Sequence, residues 1–260
     1  MVSNRLTDSE SIPAIEATHK SIKIMQVVKK ESQVTLTDLA DRLDYSKSTV
    51  HHHLTTLQSA GYVVRGDNGY RIGLLFLDYG IHAQQSNLLY SVAKGKVDEL
   101  AAEIGENVWV MVEENGFGVF LYHSSETQPV KTYTRDGYRA PLHAFAAGKA
   151  ILAFMEHGEI DDIVDRRGLP SQTAQTVTEQ GALEHELEKI RECGVAFNRQ
   201  ESMAGINAIA APIMDPSDAP LGSISIAGPA NRLRGNYLEA DLRELLLGIA
   251  NEIEVNLHYS

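Results

Sequence analysis

The pattern of apolar positions divides the chain into a helical front and a mixed back. In the front, residues 14–30 favour one face of a helix, and two short amphipathic helices follow, the second starting after Ser46 and ending near Gly61. Two β-rich segments then flank Asn68-Gly69, a pair typical of tight hairpins. Three helices followed by a hairpin predict a winged helix-turn-helix domain over residues 14–76.

Hydroxyl side chains mark the expected starts of these helices. A hydroxyl just before a helix can accept a hydrogen bond from a backbone N–H of the first turn. On this basis Thr18 or Ser21 is predicted to cap the first helix, Thr37 the second and Ser46 the third. The first 13 residues are polar and are predicted to be a disordered tail.

The pattern changes again after the hairpin. Residues 77–104 are helical in periodicity with a break at 84–87, which predicts a helical connector. Its surplus of apolar positions predicts a contact between two copies of the chain. From residue 105 to 260, strand and helix patterns alternate, with a turn at Asn115-Gly116 and a last helix from Tyr237 to about His258. This part is predicted to be an α+β domain with an antiparallel sheet.

Charge is distributed unevenly between these two parts. The net charge is −12, but residues 1–75 hold nine basic and eight acidic residues and the remainder holds 14 basic and 27 acidic ones. A near-neutral front joined to an acidic body is compatible with DNA binding by the front alone. The acidic excess is also typical of proteins from a salt-rich cytoplasm, and these two explanations remain open.

Several functional classes are disfavoured by composition. No apolar stretch approaches the roughly 18 residues of a membrane span, and the first residues are too polar for a signal peptide, so a soluble cytoplasmic protein is expected. Cys193 is the only cysteine, which excludes a disulfide or a thiolate metal cluster within one chain. The run His51-His52-His53 is not predicted to bind metal, because neighbouring helix residues point about 100° apart. No metal and no cofactor are expected.

The sequence resembles the isocitrate lyase regulator (IclR) family of transcription factors. The resemblance rests on SKSTVHHHLTTLQSAGYV in the front and on PLHAFAAGKAILA, GVAFNRQESMAGINAIAAPIMD and LGSISIAGPANRL in the back. It covers nearly the whole chain from about residue 14, and the order of the last three segments is its specific part. A salt-adapted archaeon would fit the acidic composition as a source.

The resemblance implies both an architecture and a function. The fold class would be α+β, with an N-terminal winged helix-turn-helix joined by a helical connector to a C-terminal α+β ligand-binding domain. The partners implied are double-stranded DNA with an inverted-repeat operator, a small effector such as an organic or sugar acid, and a second copy of the chain in a homodimer or homotetramer.

The third helix and the wing supply the candidate DNA contacts. With Val50, Leu54 and Leu57 packed inward, the first exposed residues of this helix would face the major groove, and basic residues of the wing would contact phosphate or the minor groove. The predicted set is Ser46, Lys47, Ser48, Thr49, His51, His52, Arg65 and Arg71. In the family an arginine is common at the position of His52, whereas His53 is expected to be partly packed.

The candidate effector site combines a helix start with strand residues. Backbone N–H groups near Ala146, Ala147 and Gly148 would attract a carboxylate at a helix N-terminus. Matching to the family motifs adds four strand residues: Asn198, Ala208, Ser225 and Ala227. Acidic, cysteine and serine residues occur in relatives at positions 198, 208 and 227 respectively, so this site is less polar and binding of glyoxylate or pyruvate is disfavoured.

Other polar residues near these motifs receive structural interpretations. Lys149 is predicted to point to solvent, and His123 and His143 to pack or hydrogen-bond. A hydrolytic triad of His143, Ser225 and Asp136 is disfavoured, because Ser225 lies inside a strand without the G-x-S-x-G turn. No catalytic residue is predicted. A regulator that acts mainly through protein contacts is the alternative to DNA binding.

Overall fold

A computed structural model describes residues 15–125 and 134–258. The chain divides into two compact units between Ala83 and Gln84. The predicted disordered tail lies outside the described residues.

The first unit contains three helices and a hairpin in the predicted order. The elements are α1 (Glu16–Glu31), α2 (Leu36–Leu43), α3 (Lys47–Ser59), β1 (Val63–Gly66) and β2 (Gly69–Ile72), followed by the start of α4 (Leu75–Gln85). Ile24 and Val28 of α1 pack with Leu39 of α2 and with Val50 and Leu54 of α3 in one apolar core. The winged helix-turn-helix is therefore confirmed.

Two of the three predicted helix caps are wrong. Thr35, not Thr37, caps α2, and its hydroxyl accepts from the N–H of Asp38, whose carboxylate bonds back to Thr35. The helix begins two residues earlier than expected because this reciprocal pair is available only there. Helix α1 follows Ile15 without a side-chain cap. Ser46 caps α3 as predicted.

A backbone bridge links the hairpin to the loop before α2, in addition to the packing of Val63 and Tyr70 in the apolar core. Val34, in the loop before α2, exchanges two backbone hydrogen bonds with Tyr70 of β2. Gly69 lies beside this bridge with a φ of 126°, and a Cβ there would come within 2.5 Å of the Val34 carbonyl oxygen. Glycine is therefore required at this turn by both conformation and space.

The second unit is an α+β domain. After α5 (Leu88–Ile104) come β3 (Asn107–Glu114), β4 (Phe117–Ser124), β5 (Arg139–Ala140), a 3-10 turn (Leu142–Ala144), α6 (Ala146–Leu152), α7 (His157–Arg167) and α8 (Gln180–Cys193). The chain then forms β6 (Ala196–Arg199), β7 (Ile206–Met214) and β8 (Pro220–Pro229) and ends in a π turn (Tyr237–Asp241) that continues as α9 (Leu242–His258). The predicted break between α4 and α5 is present, with Asn87 as the cap of α5.

Six of these strands form one antiparallel sheet in the order β5-β4-β3-β8-β7-β6. Val108 and Val110 of β3 and Ile224 and Ile226 of β8 pack on the face covered by α5 and α9. The alternating residues face a second core that includes residues of α6, α7 and α8. Both sides of the sheet are thus covered by helices, and the predicted α+β class is confirmed.

Among the residues that the structure describes, no helix is both long enough and apolar enough to cross a membrane.

Candidate functional site

The start of α3 is fixed by its cap. The Ser46 hydroxyl accepts from the Thr49 N–H at 3.1 Å and lies 2.8 Å from the Thr49 hydroxyl. Lys47 and Ser48 on the same turn are exposed. The cap therefore engages Ser46 and Thr49 with each other and leaves Lys47 and Ser48 as the outward groups of the first turn.

The three histidines of α3 have different surroundings. His51 and His52 are exposed, and their rings meet edge to face with centroids 6.1 Å apart. His53 is half-buried, and its Nδ1 lies 2.8 Å from the hydroxyl of Ser21 in α1. Two histidines thus belong to the outer face of the helix, whereas the third ties α3 to α1.

The two wing arginines lie on opposite faces of the hairpin. Arg65 pairs in register with Tyr70, while Arg71 pairs with Val64, so their side chains alternate across the strands. Arg65 and His51 line one cleft of about 510 Å³ between the wing and the helices. Arg71 lines a different cleft, which involves α1 and Phe76 of α4. Of these two clefts, the one at Arg65 is also lined by an outer residue of α3.

The candidate effector residues of the strands lie together on one face of the sheet. Strand pairing aligns Asn198, Ala208, Ala227 and Asn107 in a single row across β6, β7, β8 and β3. We call these four residues the sheet row. Ser225 lies one step further along β8 on the same face, paired with Trp109 and Ala210. Ala208 and Ala227 keep part of their surface exposed.

Asn198 holds the loops around this row. It is fully buried, its amide donates to the Ala144 carbonyl at 2.7 Å, and its amide oxygen accepts from the Glu201 N–H at 3.1 Å. The side chain thus connects β6 with the loop before α6 and with the loop after β6. An acidic residue at this position could not donate the bond to Ala144 while ionised.

The predicted anion site at the start of α6 is closely packed. Ala146, Ala147 and Gly148 are buried, and a Cβ at Gly148 would come within 2.2 Å of the Leu142 carbonyl oxygen. The hydroxyl of Ser223 in β8 donates to the Ala147 carbonyl at 2.9 Å. These contacts hold α6 against the sheet and against the 3-10 turn.

The prediction that Lys149 points to solvent is wrong. Its side chain is fully buried, and its ammonium group bonds to Glu186 of α8 at 2.5 Å and to Glu201 at 2.6 Å. The sequence pattern failed here because two carboxylates distant in sequence surround the ammonium group and offset the cost of burying it.

His143 and His123 have the structural roles expected of them. His143 is buried, its Nε2 lies 3.2 Å from the Pro170 carbonyl oxygen, and burial lowers its pKa to about 4. His123 stacks on Trp109 and bonds to Asp136 at 2.7 Å. The two histidines therefore have different partners, and Asp136 is engaged by His123.

The sequence patterns did not point to Asn107 and Trp109, which share a face of the sheet with the candidate effector residues Ser225 and Ala227. Trp109 packs against Phe120 and His123 on the side of the sheet that carries Ser225. Asn107 is buried, and its amide donates a long bond of 3.5 Å to the Ala227 carbonyl. The alternation of Asn107 and Trp109 with Val108 and Val110 was the available signal, because alternate residues of a strand share a face.

One surface cluster has metal-ligand chemistry. Ligand atoms of His157, Asp161 and Glu184 lie within 4.8 Å of one another on α7 and α8. The Gln180 amide donates to both carboxylates, at 2.9 and 3.1 Å. Both acids therefore already have a hydrogen-bond partner.

The comparisons with known proteins cover both units. Residues 17–67 match the IclR helix-turn-helix domain, and residues 81–255 match the C-terminal domain of bacterial IclR transcriptional regulators. The chain belongs to the IclR family. The expectation from the sequence motifs is thereby confirmed, including the assignment as a DNA-binding transcriptional regulator rather than an enzyme.

Individual IclR proteins resemble the chain over almost its full length. A probable transcriptional regulator, ArcR of Halobacterium salinarum, is 30% identical over 241 residues, which are 91% of this chain and 92% of ArcR. The crystal structure of Thermotoga maritima IclR is 26% identical, with a TM-score of 0.76 and coverage of 94% of this chain and 99% of that one. An IclR homologue of Microbacterium hydrocarbonoxydans complexed with 4-hydroxybenzoate is 22% identical, with a TM-score of 0.79 and coverage of 94% and 100%.

Proposed function

We propose that this IclR protein binds an inverted-repeat operator as a homodimer or homotetramer, with an affinity set by a small metabolite in the C-terminal domain. The observation that carries the proposal is the capped start of α3, which presents Lys47, Ser48, His51 and His52 outward. In helix-turn-helix proteins this part of the recognition helix contacts base edges.

The proposed contacts differ in kind. Lys47 and Arg65 supply positive charge for phosphates, while Ser48, His51 and His52 offer groups that can hydrogen-bond to bases. Ser46 and Thr49 would act through the helix cap, in which their hydroxyl groups lie 2.8 Å apart. Arg71 lies on the other face of the wing. We therefore propose that it contributes less to DNA binding than Arg65.

An apolar stripe supports the proposed homo-oligomer. Leu74, Leu77 and Ile81 are exposed and lie three and four residues apart, so they share one side of α4 and of the turn before it. Leu77 has 59% of its surface exposed. Large apolar side chains grouped in this way are typical of surfaces that bind another protein. We propose that a second copy covers this stripe.

The effector site is proposed around the sheet row and the start of α6. Its members would be Ala146, Ala147, Gly148, Asn198, Ala208, Ser225 and Ala227. The exposed surface of Ala208 and Ala227 supports this placement, since the small side chains leave room above the sheet. The complex of the related structure with 4-hydroxybenzoate supports a small organic acid as the class of effector.

Linkage between the two sites would make the protein a switch. A metabolite that prefers one arrangement of the two winged helices shifts the population toward it, and operator affinity changes by the same free energy. Either sign of regulation is compatible with this mechanism. Because the operator is chromosomal, the proposed location is the cytoplasm.

Gel-shift and footprinting assays on the DNA upstream of the protein's own gene test the proposal. We expect a protected inverted repeat and an affinity that decreases as salt increases. His52→Ala should reduce specific binding much more than His185→Ala, whose side chain is exposed on α8. Absence of a shift on any fragment of this region at moderate salt would contradict the proposal.

A further inference from the structure

The sheet row contains a buried polar atom without a partner. Asn107 is 7% exposed, and within the described part of the chain its Oδ1 has no hydrogen-bond partner. Its Nδ2 donates a long bond of 3.5 Å to the Ala227 carbonyl, and the oxygen is the group left without a partner. Buried polar atoms in native proteins nearly always have a partner, so this acceptor is available to a donor that the described part of the chain does not supply.

The surroundings of Asn107 place this acceptor in the proposed effector site. Asn107 is paired with Ala227 and, across β8, aligned with Ala208, and these two alanines are the partly exposed members of the row. At the other end of the row, the amide nitrogen of Asn198 donates to the Ala144 carbonyl, and its amide oxygen accepts from the Glu201 N–H. The free hydrogen-bonding capacity of the row is therefore concentrated at Asn107.

Lys149 and His143, two ionisable side chains near the row, do not replace this contact. Lys149 in α6 is already bound by Glu186 and Glu201. His143 is buried and holds the Pro170 carbonyl. Neither side chain is available to draw a carboxylate onto the row, whereas Asn107 offers a lone pair to a donor.

We propose that Asn107 accepts a hydrogen bond from a hydroxyl group of the effector, and that the effector is a hydroxylated acid rather than a keto acid. This inference rests on the effector site of the proposed function. A keto acid without hydroxyl groups, such as pyruvate, has only acceptors once its carboxyl group is ionised, and these would oppose the Asn107 oxygen. A site built around a hydroxyl discriminates strongly against analogues that lack it, because the buried acceptor is then left unpaired.

Trp109 provides a local reporter for this test. It is the only tryptophan of the chain, and it lies two residues from Asn107 on the same face of β3. Two residues along a strand span roughly 7 Å. A ligand over the sheet row should therefore change its fluorescence without any added label.

The experiment compares matched acids in fluorescence titrations of the full chain. The aromatic pair is 4-hydroxybenzoate and 4-methoxybenzoate, which differ in the hydroxyl donor; D-gluconate represents hydroxylated sugar acids and pyruvate the keto acids. We expect at least one hydroxylated acid to saturate, and to bind about tenfold more tightly than its analogue without the donor or than pyruvate. Saturation by gluconate alone would assign the hydroxyl to a sugar acid.

Two leucine variants locate the contact. Asn107→Leu should remove the preference for the hydroxylated acid. Asn207→Leu is the matched control, because Asn207 also has a buried amide oxygen without a partner in the described residues but lies on the opposite face of the sheet. It should retain the preference, and thermal unfolding verifies that both variants are folded.

Several results would overturn the inference. In the titrations, these results are equal binding of 4-hydroxybenzoate and 4-methoxybenzoate without binding of gluconate, tighter binding of pyruvate than of the hydroxylated acids, or no saturation by any of the four acids. In the variants, the result is an unchanged preference of Asn107→Leu for the hydroxylated acid. Operator binding without ligand, measured in parallel by gel shift, separates the two proposals. Intact DNA binding with a failed titration rejects the hydroxyl contact alone, whereas lost DNA binding rejects the proposed function.

Discussion

At the scale of single residues, buried charge is the feature least visible in the sequence. Lys149 occupies a helix position that pattern alone assigns to solvent, yet its ammonium group is enclosed by Glu186 and Glu201. Glu201 also accepts from the Arg199 N–H, so the group joins α6, α8 and the loop after β6. The buried Lys149 ammonium group is compatible with a stable fold only while Glu186 and Glu201 remain bound to it.

Lys149→Met should destabilise the protein by about 3–5 kcal/mol, because it leaves two carboxylates near the core without their cation. Urea unfolding at neutral pH measures the change. Lys189→Met is the control, since Lys189 is exposed on α8 and should change the free energy of unfolding by less than about 0.5 kcal/mol. Equal stability of the Lys149 variant and the parent would contradict the buried ion pairs.

His143 predicts a dependence of stability on pH. Burial is the main cause that lowers its pKa to about 4, and the nearby charge of Lys149 lowers it further. The unfolded chain then takes up a proton near pH 6.5 that the folded protein does not accept. The stabilising contribution is therefore complete above pH 6.5 and is lost as the pH falls toward 4.

Replacement of this residue isolates the effect. Between pH 7 and 4.5 the parent should lose about 2 kcal/mol more unfolding free energy than His143→Gln, whose amide can still donate to Pro170 but does not titrate. His185→Gln on the exposed side of α8 should follow the parent. Parallel stability curves for the parent and the His143 variant would show that the imidazole stays accessible to protons.

At the scale of elements, local signals predicted most helices and strands, and contacts distant in sequence account for part of the errors. Asn68-Gly69 correctly located the wing, and Ser46 correctly located the start of α3. The error at Thr37 was avoidable, because an aspartate stands three residues after Thr35 and an alanine three residues after Thr37. Asn107 was missed because its role depends on pairing with a strand 120 residues away.

The cap of α3 can be separated from its DNA contacts. Ser46→Ala removes the acceptor for the Thr49 N–H and should cost about 1 kcal/mol of stability, whereas Ser48→Ala, two residues further along and exposed, should cost much less. Operator affinity should fall in both variants. Thermal unfolding and gel shifts on the same samples distinguish the two effects, and a Ser48 variant as unstable as the Ser46 variant would argue against this assignment.

The two faces of the wing predict different salt effects for its arginines. If Arg65 contacts a phosphate beside α3, Arg65→Gln should reduce the slope of log affinity against log salt by about 1. Arg71→Gln should change the slope less, because Arg71 lies across the hairpin in another cleft. Fluorescence anisotropy with labelled operator at several salt concentrations gives both slopes. A larger change for Arg71 would reverse the proposed orientation of the wing on DNA.

At the scale of the whole molecule, symmetry is what would convert a weak helix-turn-helix contact into operator recognition. The first 75 residues carry almost no net charge while the remainder is acidic, so a single copy has little long-range attraction for DNA. Two winged helices held together bind two half-sites for one loss of translational freedom, and the second contact forms at high effective concentration. The apolar stripe on α4 is the surface proposed to hold the copies together.

Leu77→Glu tests this coupling, because it places a charge in the centre of the stripe at a residue that is 59% exposed. Light scattering should show a lower oligomeric state than that of the parent, and affinity for a full inverted repeat should fall by at least about a hundredfold. Affinity for an isolated half-site should stay the same, since α3 and the wing are unchanged.

Asp78→Leu, which removes a charge at the next position of the helix, serves as a control for altered surface charge. Full oligomeric state in the Leu77 variant would assign self-association to another surface, and a loss of half-site affinity would mean that the substitution disturbs the winged helix itself.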